Sequence, residues 1–284
     1  MGLAAPRAAG FAGSTLIALG GLGAGAVPVD PRHASTGGHP RLGLVCVYAG
    51  LLMLVLAWWW YGRATRAGPG DDVSCRPVWP TLVLWVAPLM VAPPMFSRDV
   101  YSYLAQGLMI DAGMDVYRQG PGALGGLAAD QVPAVWQHTP SPYGPAFLLV
   151  ARIVTGLVSS HLVLGVMVFR LVAVGGLVLL AVAIPVLARA TCVSPPAALW
   201  LTVLNPLVLI HLVGGAHNDA LMVGLLAAGL AAAVRRRPVV ATLLIAVAAL
   251  VKVPAALGLV AVAVLWATRL RGRLTGVRAA GAGG

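Results

Sequence analysis

The sequence reads as an all-α polytopic membrane protein, and three features carry that reading. It is 60% hydrophobic and only 10% charged, with a mean hydropathy of +0.91. A soluble domain is about half apolar and roughly a quarter charged. Apolar runs approaching the ~20 residues that cross a bilayer recur along the chain. Basic residues gather in short segments between those runs, as they do in cytoplasmic loops. The net charge of +11 is therefore a topology signal and not a nucleic-acid surface. Cys46, Cys75 and Cys192 lie far apart and suggest neither a disulfide framework nor a metal site.

The expected spans are residues 11–29, 42–61, 79–95, 164–187, 197–213 and 220–234, followed by a short hairpin over 238–267 that is interrupted by Lys252 and Pro254. The first run also resembles a signal peptide, with Arg7 before it and small residues after, but it is long for one. Trp58, Trp59, Trp60 and Tyr61 read as an interface anchor. Arg63, Arg66 and Arg76 place the loop after the second span in the cytoplasm, so residues 96–142 form a large extracytoplasmic loop. Counting back from Arg235, Arg236 and Arg237 puts residues 214–219 on that same outer side. The two counts agree only if residues 146–158 do not cross. Their length of 13 residues and the central Arg152 predict an interfacial or re-entrant helix. Arg269, Arg271 and Arg273 bring the chain back to the cytoplasm, which leaves Lys252 near the outer turn of the hairpin.

The outer loop holds four of the eight aspartates: Asp99, Asp111, Asp115 and Asp130. Ser97 can cap a helix that ends near Gly113, which sets Asp99 in its first turn at the membrane edge. A carboxylate there suits a general base acting on a hydroxyl. It also suits a plain helix N-terminus, paired with Arg98. Tyr101, Tyr103, Gln106 and Tyr143 are candidates to support the loop. His217, Asn218 and Asp219 form either a capped turn or one wall of the cavity that contains Asp99. Lys252, flanked by valines, is a candidate point charge for a phosphate or a snorkelling side chain. Arg170 is a weaker candidate of the same kind. His161 and His211 read as polar residues at helix ends.

Three segments together, SRDVYSYLAQG (97–107), WQHTPSPYGP (136–145) and NPLVLIHLVGGAHNDALM (205–222), resemble the actinobacterial polyprenol-phosphate-mannose-dependent α-(1→6)-mannosyltransferases. The resemblance runs over about residues 79–270. It implies a GT-C fold, a polyprenyl-phosphate-mannose donor, a lipid-linked mannan acceptor of the lipomannan type, and inverting transfer at the outer face of the plasma membrane. The family's catalytic aspartate maps onto Asp99, an acid opening a span onto Asp219, and a Lys-x-Pro onto Lys252 and Pro254. Members are usually far longer, so the chain is expected to lack a C-terminal half. In this reading Asp99 deprotonates the acceptor, and one base suffices because a lipid phosphate leaves without protonation. Arg98, Lys252 and Arg170 hold the donor phosphate, while His217, Asn218 and Asp219 order the sugar. No metal ligand set is expected; a divalent metal at the phosphate stays open. The rival readings are a flippase or transporter of a lipid-linked substrate, which would carry paired midplane charges and a repeat, and an inactive fragment. The sequence shows no repeat.

Overall fold

The structure, a computed structural model, describes residues 2–26, 40–66, 75 and 77–281. Every regular element among them is helical. Residues 27–29, which close the first expected span, and Arg76 lie outside the described residues.

Proline starts many of the helices, where its missing N–H costs nothing and its fixed φ suits the first turn. In order they are α1 (Ala4–Ala24), α2 (Pro40–Arg66), α3 (Val78–Val91), α4 (Asp99–Asp111), α5 (Gly126–Asp130), α6 (Ala134–Gln137), α7 (Pro145–Val158) and α8 (Leu162–Ala190). They continue with α9 (Pro195–Leu201), α10 (Pro206–Gly214), α11 (Asp219–Val234), α12 (Pro238–Val251) and α13 (Leu257–Gly281). Two of these, Pro40–Thr65 and Leu162–Ala190, are long and apolar enough to cross a membrane, or three crossings if α9 and α10 count as one bent span. The first expected span corresponds to α1, which begins at Ala4 and is richer in glycine and alanine than those two.

Two expected spans are corrected in shape. That over 79–95 stops at Val91, because Pro93 and Pro94 follow and the residue before a proline is driven out of the helical region; Ala92 sits at φ −63°, ψ 145°. That over 197–213 is broken into α9 and α10, which meet at 50°. Pro206 interrupts the helical ladder, and the Asn205 side chain caps the restart by accepting from the Leu207 N–H at 2.9 Å. The second half of α10, Leu209–Gly214, widens into a π-helix. The stretch expected as a short hairpin over 238–267 forms α12 and a longer α13 that runs on to Gly281. Lys252 meets Asp219 at the start of α11, while Arg269 donates to the carbonyls of Ala233 and Val234 at its end.

Backbones approach closely where side chains vanish. A methyl group on Gly13 would lie 2.8 Å from the Gly50 carbonyl oxygen, and one on Gly43 would lie 2.8 Å from that of Gly20. These pairs zip α1 antiparallel to α2, as small residues do between helices in lipid, where apolar burial gives little drive. Of the aromatic cluster on α2, Trp59 and Trp60 face outward but Trp58 and Tyr61 turn in. Trp58 stacks on Trp200 at 4.6 Å, and each indole donates to the other's carbonyl.

At the opposite end Arg170 joins three helices. Expected at the donor phosphate, it is instead 1% exposed. Its guanidinium donates to the Met90 carbonyl on α3 at 3.1 Å and to the Gly214 carbonyl on α10 at 2.8 Å. Both carbonyls belong to last turns, which lack intrahelical partners and carry the negative end of the helix dipole. Arg170→Leu leaves both unpaired and should lower the unfolding free energy by about 3 kcal/mol. Denaturation of the purified chain in detergent measures this; an unchanged midpoint would contradict the clamp.

Candidate active site

The segment between α3 and α7 is folded, not slack. Ser97 accepts the Asp99 N–H at 3.1 Å, so α4 starts with Asp99 in its first turn. It ends at Asp111, where Gly113 adopts φ +74°. Tyr101 is held by the Ala26 carbonyl at 2.5 Å, and burial raises its hydroxyl pKa to about 12. At the far end Asp111 accepts from Arg152 and from Thr155 of α7, each at 3.1 Å. The outer stripe of α7 is Leu149, Ile153 and Leu157, all more than half exposed, as a helix lying against lipid would present.

Three separate parts of the chain meet around Asp99. His217, in the turn before α11, brings Nδ1 to 3.7 Å from Asp99 Oδ2. Gly215 makes room for that imidazole, since a side chain there would strike the ring. His211 stacks on His217 at 4.0 Å. Lys252 donates to both oxygens of Asp219 at 2.9 Å. Tyr143 approaches from the entry to α7. The adjacent Gly144 N–H donates to the Val251 carbonyl, and only a glycine fits so close to the Leu250 backbone. Tyr143 and Tyr103 pack edge to face at 5.2 Å, with Phe147 and Phe169 behind them. Burial, then the Asp99 charge, pushes the Tyr143 hydroxyl up to about 12, so it is a donor at neutral pH.

Asp99 lines two cavities. The larger, about 440 Å³, is bounded by Gly25, Pro94, Phe96, Arg98, Pro133 and Trp136. The smaller, about 80 Å³, lies toward Ser102, Gln106, Pro142 and Tyr143, with Trp136 again on its wall. Phe96 is 58% exposed at φ +65°, a left-handed conformation uncommon for a bulky residue and one that marks functional sites more often than chance.

The structure thus gathers Asp99, His217, Asn218, Asp219, Lys252, Tyr103, Gln106 and Tyr143, with Arg98 at the rim, and withdraws Arg170. Lys252 is not a free charge, because Asp219 engages it. Arg98 is exposed, and its side chain makes no hydrogen bond or ion pair among the described residues. Asn218 is 3% exposed, with both side-chain polar atoms unpaired. His211, His217 and Asp219 each bring one donor atom within 4.8 Å of the others. Two imidazoles and a carboxylate suit a divalent transition ion, which would have to displace Lys252 from Asp219.

The description of an α-(1→6)-mannopyranosyltransferase N-terminal domain matches residues 7–268. The chain belongs to that family. It is 44% identical to α-(1→6)-mannopyranosyltransferase A of Mycobacterium tuberculosis over 94% of its own length and 53% of that protein. It is 42% identical to a probable α-(1→6)-mannopyranosyltransferase of Mycolicibacterium smegmatis, over 81% of the chain and 42% of the relative. It is 39% identical to α-(1→6)-mannopyranosyltransferase B of Corynebacterium glutamicum, over 79% and 40%. The chain thus spans about half the length of the curated relatives it matches. No solved structure matches it.

The family's motif segments fall on the elements that converge at Asp99: 97–107 opens α4, 136–145 carries Trp136 and Tyr143, and 205–222 runs from α10 into α11. Sequence reasoning did not single out Phe96, Ser102 or Trp136 as parts of the site. Trp136 stood inside a quoted motif, but nothing in its spacing shows that the chain folds it back onto Asp99.

Burial lowers the His217 pKa below its ordinary 6.5, helped by His211 and opposed by Asp99 and Asp219. The folded chain therefore binds fewer protons at this site than the unfolded chain just below pH 6.5. Stability is complete above that pH and falls as pH drops toward the lowered folded value. Thermal unfolding followed from pH 7.5 to 5 should show this loss, and His217→Gln should flatten it. An identical pH slope in the variant would assign the loss elsewhere.

Proposed function

We propose that the chain is the N-terminal part of a membrane mannosyltransferase of the GT-C class, working at the extracytoplasmic face. It moves mannose from a polyprenyl-phosphate-mannose donor to a lipid-linked mannan in α-(1→6) linkage. Family membership supports the reaction type. One structural observation supports the assignment of roles: the Asp99 carboxylate stands between two cavities, one with an unpaired arginine and one without any cation.

In this mechanism the Asp99 carboxylate takes the proton of the acceptor hydroxyl. The acceptor oxygen forms a bond to the anomeric carbon as the bond from that carbon to the phosphate oxygen breaks. The leaving polyprenyl phosphate keeps the electron pair and needs no proton at the moment of departure. Arg98, whose guanidinium has no partner among the described residues, binds the phosphate as charge develops on it. Neutral His217 stands beside Asp99, with Nδ1 3.7 Å from the carboxylate, and adds no charge to it. Lys252 fixes Asp219, and the pair ties the start of α11 to the end of α12. Tyr101, Tyr103, Gln106 and Tyr143 hold α4 in position.

General-base catalysis contributes about 10²–10⁴-fold. Asp99→Asn, introduced into a full-length family member carrying this N-terminal half, should therefore lower mannose transfer from the lipid donor at least a hundredfold. Donor binding should change little. Radiolabel transfer from polyprenyl-phosphate-mannose measures it, and wild-type rates in the variant would remove Asp99 from the role of base.

A further inference from the structure

We infer that the smaller cavity beside Asp99 is a saccharide subsite that takes the terminal neutral sugar of the acceptor, with Trp136, Ser102 and Gln106 as its recognition residues. This rests on the reading of Asp99 as the base and goes beyond it by placing the acceptor.

Size is the first argument. A cavity of about 80 Å³ holds roughly six waters at ~10–15 Å³ each, which is the room a single sugar ring displaces. The larger cavity, about 440 Å³, is of drug-sized ligand capacity and carries Arg98.

Chemistry is the second. No cation lines the small cavity, and Asp99 stands at its edge, so an anion is repelled. An isoprenoid chain is also a poor occupant, because it would seal polar groups away from water without partners. Ser102 is 6% exposed and its hydroxyl has no hydrogen-bond partner. Gln106 is 3% exposed; its carbonyl oxygen accepts from Ser141 at 3.1 Å. Its amide N–H groups make no bond to the described residues. A neutral polyol satisfies these groups with its hydroxyls.

The third is the shape of the wall. Trp136 is 47% exposed, and no aromatic partner covers its ring among the described residues. It offers a flat face for the C–H side of a pyranose. Pro140 and Pro142, on the same wall, stiffen the strand of chain opposite α4. Asp99, Trp136 and Gln106 share the lining of this cavity, so a ring seated in it lies beside the carboxylate.

The test uses α-(1→6)-mannobiose as probe and the purified chain in detergent, read by saturation-transfer NMR. Saturable binding is expected, unaffected by added inorganic phosphate. Trp136→Ala and Gln106→Leu should each weaken it at least tenfold, and Trp136→Phe should retain it. Circular dichroism of Trp136→Ala, a half-exposed site, should match the wild type. No saturable binding to the wild-type chain, or equal affinity in Trp136→Ala, overturns the subsite. Binding that depends on Trp136 without any mannose transfer by the full-length protein sinks the proposed reaction but supports the subsite. Conversely, transfer with an unchanged acceptor KM in Trp136→Ala sinks the subsite alone.

Discussion

Arg170 is the constraint on which the rest of the site depends. It reaches the last turn of α3 through Met90 and the end of α10 through Gly214. Asp99 lies nine residues beyond the first contact and His217 three beyond the second. One planar guanidinium therefore fixes where both halves of the site leave their helices. A lysine could serve only one carbonyl with comparable geometry, because the fork supplies two divergent donors from a rigid group. The charge is placed at two helix C-termini, where the dipoles favour it.

The electrostatics around Asp99 follow a simple division. Lys252 and Asp219 neutralise one another, and Asp111 is matched by Arg152. His217 is kept neutral by burial. What stays uncompensated near the centre is the Asp99 carboxylate and the Arg98 guanidinium, adjacent in sequence but lining the cavities unequally. Asp99 lines both cavities, whereas Arg98 lines only the larger. Phe96, just before them, adopts a left-handed conformation and lines the larger cavity with both.

Much of this was legible from residues alone. The all-helical class follows from composition, and the break of the last hairpin at Lys252 follows from a charge and a proline inside an apolar run. The joint placement of Asp99 and the 217–219 turn was reached from arginine counting, and the structure brings the two within contact. Other features were hidden. The π-helical end of α10 is a matter of tertiary packing, and it stacks His211, read as a polar residue at a helix end, on His217 of the following turn. The partners of Arg170 and Lys252 are each more than thirty residues away in sequence, so both looked like free cations. Helix lengths were overestimated wherever prolines cut an apolar stretch, as at Pro93 and Pro206.

Helix α4 carries Asp99 at one end and a tether at the other. Its 13 residues make a rod about 20 Å long. The Arg152–Asp111 contact fastens the far end of that rod to α7, whose outward face is leucine and isoleucine. Gly107 also packs against the Ala151 carbonyl midway along the rod, so α4 and α7 are coupled along their length and a shift of α7 is felt at Asp99 through the whole helix.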